Sequence, residues 1–208
     1  MPQPLVTENV KHIVDKENKQ IHGVFHEEVL YVETKIYQSH LVSLKKKAKI
    51  CLENQNRLNK ANSNLAGNIE KEFYLDKTFE DILSQYSTSL ADKFIKISNQ
   101  NKPDKINIES LEWIAVKPWI NFQKKFEFNP THHHYGDYSF VLWIEIPYDL
   151  KEEFKLDNCV NSNTKRNSVF TFSYLSTSGE ILERILPIDK AWEGTMILFP
   201  SNLRHNVY

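Results

Sequence analysis

The sequence predicts an α+β chain in which a helical first half is followed by an antiparallel β-sandwich or barrel. Two observations carry that expectation. Apolar residues recur at helical spacing as far as Ile97, and short alternating aromatic runs take over beyond it. No helical segments separate the later runs, so antiparallel pairing is expected rather than parallel crossover units.

The elements follow in order. From Tyr37, residues Leu41, Leu44, Ala48 and Leu52 line one face of a helix, while Lys45, Lys46, Lys47 and Lys49 fall mostly off it as a solvated side. A second helix follows Thr78, where Thr78 with Asp81 resembles an N-terminal cap. Its stripe is Phe79, Leu83, Tyr86, Leu90, Phe94 and Ile97. Both stripes read as core-facing surfaces. Between the helices, NRLNKANSNLAGNIEKEFYLD is rich in Asn and reads as an irregular connection, long enough to cover or line something. The polar stretch Ser98–Asn107 ends the helical half.

Next, LEWIAVKPWINFQKKFEF reads as two short strands, or one bent strand, around Pro118. SFVLWIEIP, VFTFSYLS, EILERILPI and TMILFP then read as four more strands. The continuous run Phe140–Ile144 suits a strand covered on both faces, with the helices packed outside the sheet. The expected organisation is one integrated domain, with a mainly helical region over residues 1–107 packing on a β core over residues 108–208.

Composition excludes several function classes. Formal net charge is −1, so no global field attracts nucleic acid or an anionic membrane. Only Cys51 and Cys159 are present, in no CxxC pattern, which argues against thiolate zinc and for a reducing cytoplasm. The first residues lack a basic start followed by an apolar run, and no stretch is long and apolar enough to span a bilayer.

The chemistry concentrates in NPTHHHYGD, Asn129–Asp137. At a strand end alternate side chains share a face, so His132 and His134 converge while His133 points away. Gly136 allows a tight turn that would swing the Asp137 carboxylate back toward them. FPSNLRHNVY places His205 beside another apolar strand, whose end a jelly roll can bring to the same mouth. Imidazoles with a carboxylate and open positions follow the logic of non-haem Fe(II) oxygenases.

These segments resemble a known family. W-x-N, then N-P-x-H-x-H-x-G-D-x-S-F-V, then G-x-x-x-x-F-P-S-x-x-x-H, is similar to the 2-oxoglutarate-dependent Fe(II) oxygenases, particularly a group common in phages and marine bacteria. The likeness runs from Trp113 to Tyr208, about half of the chain. It implies a double-stranded β-helix (jelly roll) with N-terminal supporting helices. It also implies Fe(II), 2-oxoglutarate as cosubstrate, and a dioxygenase activity that hydroxylates its substrate, in the cytoplasm of a bacterial or phage-infected cell.

On that resemblance His132 matches the first metal ligand and His205 the distal one. The family's middle ligand is a carboxylate, and His134 stands in its place. Either His134 binds with Asp137 behind it, or Asp137 supplies the carboxylate, or the set resembles that of the cupins, with H-x-H plus a carboxylate and a distal His. The favoured set is His132, His134 and His205 with Asp137 close by. Asn121 is expected at the cosubstrate, Trp119 as a cavity wall, and Ser201 near the metal.

The family also places an Arg several residues beyond the distal His to hold the far carboxylate of 2-oxoglutarate. The given sequence stops at Tyr208, so either it is cut before that Arg or another group takes the role. Arg204 adjoins His205 and alternation points it away, which leaves Arg184 and Lys124 as in-chain replacements. Two other readings stand beside the oxygenase: a cupin-type metal dioxygenase or isomerase that does not use 2-oxoglutarate, and a non-catalytic jelly-roll structural or binding protein of a phage. No motif selects a substrate, whether protein side chain or small molecule, and exposed sheet edges suit a homodimer.

Overall fold

A computed structural model describes residues 13–14, 20–21, 30–101, 104–114, 117–176 and 178–208. Before residue 30 it contains one two-residue pair, β1 (Ile13–Val14) with β2 (Gln20–Ile21), and the rest of the expected N-terminal region there lies outside the described residues. Strand β3 (Val32–Lys35) leads into helix α1 (Gln38–Glu53), which buries Leu41, Leu44 and Ala48 as the spacing predicts. Tyr37, first in the expected stripe, is instead an exposed helix boundary whose N–H donates to the Tyr86 hydroxyl at 3.0 Å.

Helix α2 (Lys77–Ser98) buries Phe79, Leu83, Leu90, Ala91, Phe94 and Ile95. Its cap is Asp76, whose carboxylate accepts from the Thr78 N–H at 3.0 Å. The helix therefore starts at Lys77, and the expected Thr78–Asp81 cap gives way to an aspartate that satisfies an otherwise orphan N–H. Ahead of it, the expected irregular connection contains a short strand, β4 (Glu72–Tyr74).

Pro118 is followed at once by β5 (Trp119–Asn121), which pairs with β4 so that Glu72 lies opposite Asn121 and Tyr74 opposite Trp119. Then come β6 (Asn129–His132), β7 (Tyr138–Leu142), a one-turn helix α3 (Leu150–Glu153), β8 (Val169–Leu175), β9 (Ile181–Pro187), β10 (Thr195–Pro200) and β11 (Arg204–Val207). They form two antiparallel sheets, ordered β3-β10-β7 and β6-β11-β8-β9.

Strand β10 explains how the layers stack, because it is buried on both faces. Met196 and Leu198 pack with Leu44, Phe79 and Phe94 of the two helices. Ile197 and Phe199 point the other way and pack with Phe170 and Phe172 of β8, the Phe172 and Phe199 rings meeting at 5.0 Å. Strand β7 divides its side chains in the same way: Phe140 and Leu142 join the helical core and Val141 joins the core between the sheets. This alternation makes the apolar run legible as a strand covered on both sides. Each fully buried side chain of this size stabilises by roughly 1.5–3 kcal/mol. The helices pack on the outside of one sheet, as expected, and the second sheet carries the candidate site on its inner face.

Candidate metal centre

Strand β6 brings its histidine to β11 through an irregularity. His132 pairs with His205 and Asn129 with Val207, so two residues, Pro130 and Thr131, stand against one, Asn206, which is the count of a β-bulge. The bulge places Asn129 and His132 opposite partners on the same inner face, where strict alternation would have separated them. After His132 the alternation resumes, with His133 exposed and His134 half-buried.

The loop is then fastened. The His134 N–H donates to the Ser201 carbonyl at 2.8 Å, and the Ser201 N–H donates to the Asp137 carbonyl at 3.0 Å. Ser201 is fully buried and its hydroxyl is 2.8 Å from that of Ser139. Its hydrogen bonds thus join the two strand ends and fix the turn, which Gly136 makes with φ +93°.

The result is a cluster of three imidazoles. His132, His134 and His205 each offer a ring nitrogen, and these atoms lie within 4.8 Å of one another. Ring centroids are separated by 4.3 Å for His132–His205, 4.9 Å for His132–His134 and 5.1 Å for His134–His205. Nδ1 of His132 lies 2.7 Å from the Pro130 carbonyl, and Nδ1 of His205 lies 2.8 Å from the Leu203 carbonyl. A carbonyl only accepts, so both Nδ1 atoms carry the proton and both Nε2 atoms present a lone pair.

Burial keeps the cluster neutral. It lowers the pKa of all three histidines, against the opposing pull of the Pro130 and Leu203 carbonyls, to about 4 for His134 and about 3 for His205. The mutual repulsion of charged rings acts in the same direction. His205 stacks on Phe170 at 5.4 Å and meets the edge of Phe199 at 4.9 Å, so its ring has little freedom to turn. Close, neutral and oriented imidazoles fit a divalent transition ion.

The other expected site residues fall in distinct places. Trp119 packs against His134 with centroids 5.4 Å apart, and Asn121 is exposed on the same face of β5. Asp137 is exposed and outside the imidazole group, because the Gly136 turn leads the chain directly into β7. Arg204 is exposed, as alternation from His205 requires. Lys124 is exposed and ion-paired with Glu70. Arg184 lies opposite Phe172, which lies opposite His205, so one inner row runs His132, His205, Phe172, Arg184. The fully buried Phe172 ring stands between imidazole and guanidinium and stacks on Tyr31, which is hydrogen-bonded to Arg184.

Sequence reasoning missed Glu72. It is fully buried on the face of β4 opposite Asn121, and its Oε1 has no hydrogen-bond partner. Burial, then the nearby Glu127, raises its pKa to about 7. Only the short strand inside the Asn-rich connection could have signalled it, through the alternation of Glu72 and Tyr74 about Phe73. Two surface clefts, of about 300 and 470 Å³, border α1 and none of the three imidazoles lines either.

No family model and no curated protein matches the chain. Among solved structures it is similar to a prolyl-4-hydroxylase from Pseudomonas putida, with 13% identity and a TM-score of 0.47 over 85% of this chain and 83% of that one.

Proposed function

We propose that this chain is a non-haem Fe(II)- and 2-oxoglutarate-dependent oxygenase, and that its two sheets, built from residues 108–208 with β3 (Val32–Lys35) as an added edge strand, are those of a double-stranded β-helix, with the helical region as its support. The observation that supports this most is the convergence of His132, His134 and His205 at the ends of β6 and β11 with the Nε2 lone pairs of His132 and His205 free to bind. The order of the motifs along the chain, W-x-N, H-x-H and distal His, is the second support.

His132, His134 and His205 would hold the iron, which together with 2-oxoglutarate supplies the oxidant for hydroxylation. The chain's own share is to orient those rings, exclude water through Phe170 and Phe199, and wall the site with Trp119. Asn121, exposed beside Trp119, would contact the cosubstrate. The far carboxylate would be held by Arg184 across the row that Phe172 occupies. The reaction would run in the cytoplasm on a protein side chain or a small molecule.

The test is conversion of 2-oxoglutarate to succinate by iron-loaded protein, with His205→Ala as control. Turnover by the parent and none by the variant is expected. Equal rates in the two proteins would overturn the reading. A cupin-type metal enzyme that ignores 2-oxoglutarate is favoured by one observation, the imidazole of His134 where a carboxylate would stand. Calorimetry with N-oxalylglycine separates the two, since only the oxygenase binds it.

A further inference from the structure

We infer that the corner where the Asn-rich connection meets β4 and β6 is a second cation site, which takes a hard ion of the Ca²⁺ class through side-chain oxygens of Glu72, Asn62 and Asn129. It uses none of the imidazoles and stands apart from the oxygenase reading.

Glu72 is fully buried, and among the described residues its Oε1 has no hydrogen-bond partner. Asn62 holds the other carboxylate oxygen. Its Nδ2 donates to Oε2 of Glu72 at 3.2 Å and to the Ile69 carbonyl at 2.6 Å. Those two bonds fix the amide, whose own Oδ1 is buried without a partner among the described residues. Two adjoining side chains thus each bury an oxygen that no donor meets. Such an acceptor surplus is costly unless a proton or a cation offsets it.

Gly67 marks where the surplus converges. A Cβ there would lie 3.0 Å from Oε1 of Glu72 and 2.5 Å from Oδ1 of Asn129, so the absent side chain leaves both oxygens bordering one small space. Backbone bonds fasten the connection around it. The Asn68 N–H donates to the Phe128 carbonyl at 2.8 Å, and the Ala61 N–H to the Glu72 carbonyl at 2.9 Å.

Charge and ligand type select the ion. The neighbouring charge that acts on Glu72 is a second carboxylate, Glu127, so the corner repels its own anion and favours a divalent cation. A carboxylate with two amide carbonyls is an oxygen set that Ca²⁺ accepts in irregular geometry. Mg²⁺ demands a near-ideal octahedron and keeps several waters, and none of the three side chains is a nitrogen or sulfur ligand for a transition ion.

The experiment uses the whole chain, stripped with EGTA and held at pH 8, where the Glu72 carboxyl is ionised. CaCl₂ and MgCl₂ are titrated by calorimetry, and thermal unfolding is followed with and without each ion. The parent should bind one Ca²⁺, with Mg²⁺ weaker by at least ~10-fold, and Ca²⁺ should raise its unfolding midpoint. Glu72→Gln keeps the shape and loses the ionic ligand, so its Ca²⁺ affinity should fall more than ~100-fold and its midpoint should not respond. An equal Ca²⁺ response in the variant would place the ion elsewhere and overturn the inference. No Ca²⁺ binding by the parent would leave a proton as the occupant of the corner, and equal binding of Mg²⁺ would show unselective surface charge; either result overturns it too. Should the variant not fold, stoichiometry and selectivity in the parent decide the matter.

Discussion

His132 and His205 face each other directly across the β6–β11 pair, and each donates Nδ1–H to the carbonyl two residues before it in the chain. The matching bonds select the same tautomer in both rings. This relationship orients two ring lone pairs together, as the proposed metal site requires.

One divalent ion per chain is expected. Loss of a supporting hydrogen bond commonly lowers metal affinity 10–100-fold, so removal of a ligand in His132→Ala or His205→Ala should exceed ~100-fold. Burial already holds the rings neutral, with His134 at about 4 and His205 at about 3, so metal uptake at pH 7 should release almost no protons. Calorimetry in buffers of different ionisation enthalpy checks both statements. Release of one or more protons per ion would show the rings to be charged beforehand.

Glu72 should make stability depend on pH near neutrality. Its folded pKa, about 7, lies above the ordinary 4.5, so the fold favours the neutral acid. That contribution is complete below pH 4.5 and is lost as pH rises to 7, a difference on the order of 2–3 kcal/mol. Glu72→Gln keeps the shape without the charge. Urea unfolding should find it equal to the parent at pH 4.5 and more stable at pH 8.

Gly67 packs tightly into the same corner. A Cβ there would lie 2.5 Å from Oδ1 of Asn129 and 3.0 Å from Oε1 of Glu72. Asn129 belongs to the strand that carries His132, so the strain would act on a strand of the proposed metal site. Gly67→Ala should cost about 1–3 kcal/mol in thermal unfolding and weaken metal binding together with stability. A variant as stable as the parent would mean that the corner can shift freely.

How much of this was legible in the sequence differs by element. The helical stripes and the runs that became β7 to β10 were readable because burial imposes period on residues such as Leu83 or Phe199. His132 and His134 were legible for the same reason, alternation at a strand end. Asn129 and Glu72 were not. The first depends on a one-residue bulge that changes face without a mark in the sequence, and the second on a three-residue strand among asparagines. The middle ligand was left open because spacing alone does not say where the Gly136 turn sends Asp137. Backbone bonds from Ser201, distant in the chain, decide the course of that loop.

Glu193 provides the acid limb of the stability profile. Burial would raise its pKa, but the Ile146 N–H at 2.8 Å, Lys190 and Lys45 together hold it down to about 2. The carboxylate joins the approach to β10 with helix α1 and with the segment that follows β7, and its side chain is only 12% exposed. A depressed acid contributes stability that is complete above pH 4.5 and is lost as pH falls toward 2. Solvent around Lys190, 67% exposed, reduces that contribution to about 1–2 kcal/mol. Glu193→Gln should therefore lower the unfolding midpoint at pH 7 and leave it unchanged near pH 2. The same loss at both pH values would mean that shape, rather than charge, holds the three segments together.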